Sequence, residues 1–248
     1  MARRKRKPKS TAAERSPRGD SKSVAGVRII GGRFRGRRIH YTGDARTRPM
    51  KDRLREAIFN LVGPSIRGKH ALDLFAGTGA LALEALSRGA GRATLIEQHH
   101  PTANVIRRNV AELGVETQAE VVAANVFIWG KMESGLFSLS RSSKPTGCNP
   151  WAYEPPRGES VLAQVPITPV PWVVFCSPPY DFYVSRTAEM LELIEGLIGS
   201  APAESVFVVE ADARFDFRLL PDPGAWNVRS YPPAVVGIFR KKQLFSPG

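Results

Sequence analysis

Apolar positions along the chain change period several times, and each change predicts an element. Leu54, Ala57, Ile58, Leu61 and Val62 recur at i, i+3, i+4, i+7 and i+8, the stripe of an amphipathic helix. Pro49 stands near its first turn, where a missing N–H costs nothing. From residue 70 onward, short apolar runs alternate with helical stripes. Strands are expected at His70–Phe75, Arg92–Glu97, Ala119–Ala124, Trp172–Cys176 and Ser205–Glu210. Helices are expected at Ala80–Ser87, at Pro101–Leu113 with Ala103, Ile106, Val110 and Leu113 on one side, and at Val184–Ile198. Two further β-like runs, Trp226–Tyr231 and Val235–Arg240, are joined by Pro232-Pro233. The alternation predicts an α/β fold: a mostly parallel sheet, helices on both faces, and an antiparallel C-terminal edge. Upstream, Val27–Ile30 and Arg33–Ile39 flank Gly31-Gly32 and read as a small hairpin.

Two stretches lack any period. Residues 1–23 are rich in Lys, Arg, Ser and Pro with almost nothing to bury, so a disordered tail is expected. Residues 131–170 carry Pro145, Pro150, Pro155, Pro156, Pro166 and Pro169 among many Ser and Gly. A structureless run of that length marks an insertion on the surface. The organisation that follows is a tail over 1–23, an extension over 24–66, and a main domain over 67–248 interrupted at about 131–170.

Charge changes the picture of the N-terminal quarter. The chain of 248 residues has a formal net charge of +13. Residues 1–22 hold nine Lys/Arg against two acids, residues 23–55 hold ten against two, and the other 193 positions carry −2. Segregated charge of this kind points to a polyanion approached from one side. No run approaches 18 apolar residues, so no membrane span is expected. Arg3–Lys7 has no apolar stretch behind it, so it is not read as a secretory signal. Cys148 and Cys176 make no disulfide framework, and the four histidines show no zinc spacing. A metal-free cytoplasmic protein is the expectation.

The strongest chemical signal is Ala71-Leu72-Asp73-Leu74-Phe75-Ala76-Gly77-Thr78-Gly79-Ala80-Leu81, a strand running through a glycine turn into a helix. Gly77 and Gly79 let the backbone approach a ligand that a Cβ would displace. Asp73 at the strand end would repel a pyrophosphate and attract a ligand carrying an amino group and a sulfonium. Glu97 ends the next strand, where an acid can accept both ribose hydroxyls. The order of these features favours S-adenosylmethionine over a nicotinamide cofactor. The third signal is Phe175-Cys176-Ser177-Pro178-Pro179-Tyr180. Its prolines supply carbonyls and few donors, which suits an exocyclic amino group, and Tyr180 offers a stacking face.

These motifs resemble the class I (Rossmann-like) methyltransferases, and within them the bacterial 16S ribosomal RNA guanine-N2 methyltransferases. Arg28-Ile29-Ile30-Gly31-Gly32 with Gly36-Arg37, then Thr47-Arg48-Pro49, Asp52-Arg53, Arg55-Glu56 and Phe59-Asn60, is similar to that family's N-terminal signature. Asp73 to Gly79 with Leu81, Glu84 and Ala85 is similar to its cofactor loop. The resemblance runs from Val27 to about Lys241 and implies a seven-stranded sheet with a small N-terminal hairpin and helix. It implies S-adenosylmethionine held by Asp73, Phe75, Gly77, Gly79, Glu97 at the ribose and Asn125 near the adenine. It implies catalysis at Ser177, Pro178, Pro179 and Tyr180, and RNA contacts from Arg33, Arg35, Arg37, Arg38, Arg48 and Arg53.

The expected activity is therefore methylation of a guanine N2 in 16S rRNA of the 30S subunit, by a monomer. Ser177 stands where the family has Asp or Asn, and its oxygen can still accept from an amino group. Ser-Pro-Pro-Tyr also resembles DNA enzymes that methylate cytosine N4, so DNA amino-methylation stays open beside a non-catalytic RNA-binding reading.

Overall fold

The computed structural model describes residues 26–43, 49–131 and 170–242. Two short strands, β1 (Val27–Arg28) and β2 (Arg38–Ile39), pair antiparallel with Val27 opposite Ile39. The main sheet contains β3 (His70–Asp73), β4 (Arg92–Ile96), β5 (Ala119–Val122), β6 (Trp172–Cys176), β7 (Val206–Asp212), β8 (Asn227–Tyr231) and β9 (Ala234–Arg240). Their spatial order is β5-β4-β3-β6-β7-β9-β8. The first five neighbours are parallel, whereas β9 runs antiparallel between β7 and β8. From β3 the chain winds outward to β5, then returns to lay β6 on the other side of β3. A crevice opens at such a reversal, outside the carboxyl ends of the strands.

Both faces of the sheet are covered, and the period of two along each strand decides which side chain goes where. Val206 and Val208 of β7 join one apolar cluster, and Phe207 and Val209 the other. The first cluster takes in α1 (Asp52–Val62), α2 (Ala80–Ser87) and α3 (His100–Leu113). The second takes in a helical stretch over 126–131 (α4), α5 (Phe182–Ser185) and α6 (Thr187–Ser200). The expected single helix over Val184–Ile198 is thus two. Arg186 leaves the helical region at φ −133°, where its guanidinium pairs with Glu189 and lies over the Phe127 ring. The helix α4 has no counterpart among the predicted elements, although Asn125 caps it by accepting from the Phe127 amide at 2.9 Å.

The basic hairpin is smaller than its pattern suggests. Only Arg38 and Ile39 of the expected second strand are extended, and residues 33–36 form turns. It is fastened to the main domain through α2. Glu84, wholly buried, accepts from the Ile30 and Gly31 amides at 2.7 Å each and from Arg88 at 2.8 Å. Gly32 sits at φ +75°, and a Cβ there would lie 1.9 Å from the Ser87 carbonyl oxygen, so no other residue fits. Buried Arg55 of α1 donates to the Arg28 carbonyl and to Asp52, tying helix to hairpin. Extension and main domain therefore share one core, with Val27, Ile29, Ile39 and Ile58 packed in the first cluster. The expected tail and nearly all of the expected insertion lie outside the described residues. No helix among the described residues is long and apolar enough to cross a membrane.

Candidate active site

The loops at the carboxyl ends of the parallel strands surround one cavity of about 940 Å³. Leu74, Phe75 and Gly77 enter it from β3, Glu97 and His99 from β4, and Asn125 with Phe127 from the start of α4. Ser177, Pro178, Pro179 and Tyr180 face it from β6 and Glu210 from β7. The β8–β9 turn at Tyr231–Pro233 closes one side. The start of α1, including Lys51 and Arg53, closes another.

The glycine loop is held by two acids used in different ways. Glu97 is half-buried, and its carboxylate accepts from the Gly77 amide at 2.9 Å and the His99 amide at 2.8 Å. Each oxygen keeps a lone pair for a ligand hydroxyl. Asp73 is 1% exposed and lies beneath the loop, not on the cavity wall. One oxygen accepts from the Ala82 amide at 3.3 Å, and the other has no hydrogen-bond partner. Burial pushes its carboxyl up to about 7, and the nearby Glu97 charge adds to the rise against the Ala82 amide. Asp73, expected at the cofactor, thus stands beneath the loop, behind the residues that line the cavity, with one oxygen on the first turn of α2.

Gly79 is likewise not on the wall. At φ +76° it turns the chain into α2, and a Cβ would come within 3.2 Å of Leu95 and Ile106. Its role is close packing of loop on sheet. Phe75 does line the cavity, edge-on to Phe127 and Phe182, with centroids 6.1 and 6.0 Å apart. These rings give an apolar wall beside Asn125, whose oxygen is committed to the Phe127 amide while its amide hydrogens are not.

On the opposite side, the Ser-Pro-Pro-Tyr turn is braced by a residue the sequence reading missed. Glu210, 5% exposed, accepts from the Ser177 hydroxyl and from the Tyr180 hydroxyl at 2.6 Å. The signal was present: Glu210 follows the apolar run Val206–Val209, much as Asp73 and Glu97 follow theirs. Cys176, one residue before Ser177, is buried against the Tyr183 hydroxyl, and burial pushes its thiol up to about 12, so it stays neutral. Phe127 and Phe182 were also missed, because their contact with Phe75 spans three separate segments.

The predicted RNA-contact residues separate into groups. Arg33, Arg35, Arg37 and Arg38 are exposed on the hairpin, though Arg33 donates to Gln118 at 2.6 Å and Arg37 to the Glu112 carbonyl at 2.7 Å. Arg53 lies at the cavity itself. Arg48 lies outside the described residues. Among the described residues no cluster of three or more His, Cys, Asp or Glu is placed to hold a metal.

Comparison with known proteins fits this architecture. Residues 27–133 match the family model described as "Conserved hypothetical protein 95". Ribosomal RNA small subunit methyltransferase D of Escherichia coli (strain K12) is 46% identical over 99 residues, 40% of this chain and 50% of that protein. The chain thus matches about half the length of that curated relative. Among solved structures, the putative methyltransferase yhhF from Escherichia coli superposes with a TM-score of 0.62 at 27% identity, covering 88% of this chain and 98% of that one. The 16S rRNA N2 G1207 methyltransferase of T. Thermophilus, at 17% identity and a TM-score of 0.57, covers 88% of this chain and 50% of its own and shares the fold. The chain thus has a class I methyltransferase fold with a glycine loop between strand-end acids, and over residues 27–133 it is similar to the Conserved hypothetical protein 95 family.

Proposed function

We propose that this protein methylates the exocyclic N2 of a guanine in 16S rRNA of the small ribosomal subunit, using S-adenosylmethionine. The observation that carries the reading is that the glycine loop with Glu97 and the Ser177–Tyr180 turn open onto the same cavity. A nucleoside cofactor and an amino-bearing base would meet there. The names of the relatives, rRNA small subunit methyltransferases, support the same substrate class.

The residues present fit the cofactor. Asp73 places an unpartnered buried oxygen beneath the loop, Glu97 keeps acceptor capacity for ribose hydroxyls, and the Phe75–Phe127 wall with the Asn125 amide suits an adenine. When bound, the cofactor supplies a methyl group activated by its sulfonium. The chain's own part is placement and electrostatics. Ser177 Oγ and the Pro178 carbonyl would accept the amino hydrogens. Tyr180, its hydroxyl held by Glu210, would stack on a guanine turned out of its helix. Lys51 and Arg53 at the cavity and the exposed arginines of the hairpin would meet phosphates. The same reading has the protein acting as a cytoplasmic monomer without metal.

The test is to incubate purified protein, labelled S-adenosylmethionine and 30S particles lacking the modification, then map the label. Label on a guanine N2 supports the reading. Transfer to duplex DNA instead, or no transfer with intact cofactor binding, replaces it with DNA amino-methylation or a non-catalytic RNA-binding role.

A further inference from the structure

Position 177 lacks a carboxylate or amide, yet a carboxylate stands directly behind it. We propose that Glu210 is the proton-accepting partner of Ser177 and supplies, through that hydroxyl, the charge that position 177 lacks. The inference rests on the reading of the cavity as a site of amino-group methylation.

The direction of the hydrogen bond follows from the chemistry of a carboxylate that faces two hydroxyls. An ionised carboxylate only accepts, so the single hydrogen of Ser177 Oγ is committed to Glu210 Oε2. The hydroxyl then presents lone pairs alone to the cavity and is a pure acceptor for an amino hydrogen. The second oxygen of Glu210 takes the Tyr180 hydroxyl at 2.6 Å, so one carboxylate orients both the acceptor and the stacking ring. Hydrogen bonds to an ionised partner are roughly twice as strong as neutral ones. With Glu210 only 5% exposed, water competes little for them.

The charge has a use in the reaction. The N2 lone pair forms a bond to the methyl carbon as the carbon–sulfur bond breaks, its pair remaining on sulfur. The nitrogen is left with two hydrogens and a positive charge. One of those protons passes to Ser177 Oγ while the serine proton passes to Glu210 Oε2. The guanine leaves as a neutral secondary amine, and Glu210, now a neutral acid, returns its proton to solvent.

The arrangement also says what Ser177→Asp would do. It would set two carboxylates at hydrogen-bond distance, and such a pair holds one proton between them. Restoring a family-type acid at 177 helps only if the charge at 210 is removed.

The experiment compares wild type, Glu210→Gln, Ser177→Asp and the double variant Ser177→Asp/Glu210→Gln on modification-deficient 30S particles. Thermal melting and calorimetric cofactor binding serve as controls. Glu210→Gln removes the charge and the proton's destination in either orientation of its amide. Its kcat is expected to fall roughly 10²-fold, by analogy with loss of one oxyanion-hole donor, with cofactor affinity unchanged. The double variant is expected to recover at least about tenfold of that loss, which a purely structural role for Glu210 does not predict. A readout independent of turnover is binding of guanosine against inosine, which lacks the N2 amino group, measured by NMR without cofactor. Wild type should prefer guanosine, and Glu210→Gln should lose the preference. Wild-type turnover in Glu210→Gln, or a double variant no faster than Glu210→Gln, overturns the proposal. Should Glu210→Gln not fold, Ser177→Asp decides: turnover equal to or above wild type overturns it. Wild type that neither methylates nor prefers guanosine defeats the underlying reading instead. A wild type that does both, beside a Glu210→Gln that keeps both, defeats only the role of Glu210.

Discussion

The two sides of the cavity place strand-end acids in contrasting surroundings. On the β3–β4 side, Asp73 is buried with one oxygen unpartnered, and Glu97 is half-exposed with a backbone amide on each oxygen. On the β6–β7 side, Glu210 is buried with a hydroxyl on each oxygen. Backbone amides cannot rotate away or pass on a proton during a reaction, so the first side is built to hold. Hydroxyls can do both, so the second side is built to respond. The donors that face a carboxylate, more than its burial, set what its charge is used for.

The sharpest way to break this contrast is Ser177→Ala. It strips the responsive side of its acceptor and leaves Glu210 with one donor. The contact strengthens as the amino nitrogen becomes positive, so kcat should fall roughly 10²-fold or more while cofactor affinity holds. Single-turnover methylation beside calorimetry checks it, and unchanged turnover would leave the Pro178 carbonyl and Tyr180 to hold the base. On the other side, Glu97→Ala removes the ribose acceptors and frees the Gly77 and His99 amides. Cofactor binding should weaken by about 1–3 kcal/mol; calorimetry showing unchanged affinity removes Glu97 from the site.

Asp73 sharpens the comparison through pH. Its folded carboxyl titrates near 7, above the ordinary 3.8, so the folded state retains a proton that the unfolded state releases. The contribution to stability is complete below about pH 4 and is lost as pH rises toward 7, at about 1.4 kcal/mol per unit. Chemical denaturation between pH 4.5 and 7 should show this slope, and Asp73→Asn should flatten it. The smallest effect expected is at the N-terminus. Residues 28–43 and 49–55 carry charges aimed from a hairpin and a helix, whereas the nine Lys/Arg of residues 1–22 would add general attraction. Deleting 1–22 should lower the salt dependence of RNA binding yet leave methylation measurable. Complete loss of activity would reverse that ranking.

What was legible in the sequence was whatever depends on neighbours along the chain. A period of two or 3.6, a glycine turn between strand and helix, and an acid at a strand end are local patterns, and they gave the sheet, the loop, Glu97 and the Ser177–Tyr180 turn. The break at Arg186 was not legible, and the ring over which its guanidinium lies, Phe127, belongs to another segment. Nor was the placement of Asp73 and Gly79 behind the cavity wall, since both were read from a motif that does not say which side of the loop is buried. Glu210 shows the limit best. Its two partners lie 33 and 30 residues earlier in the chain, and only the parallel pairing of β6 with β7 brings them to one carboxylate. The sequence by itself determined which elements form and which chemical groups end them. The tertiary structure decided which groups face one another, because hydrogen bonds act over about 3 Å and that proximity is set by strand order and register.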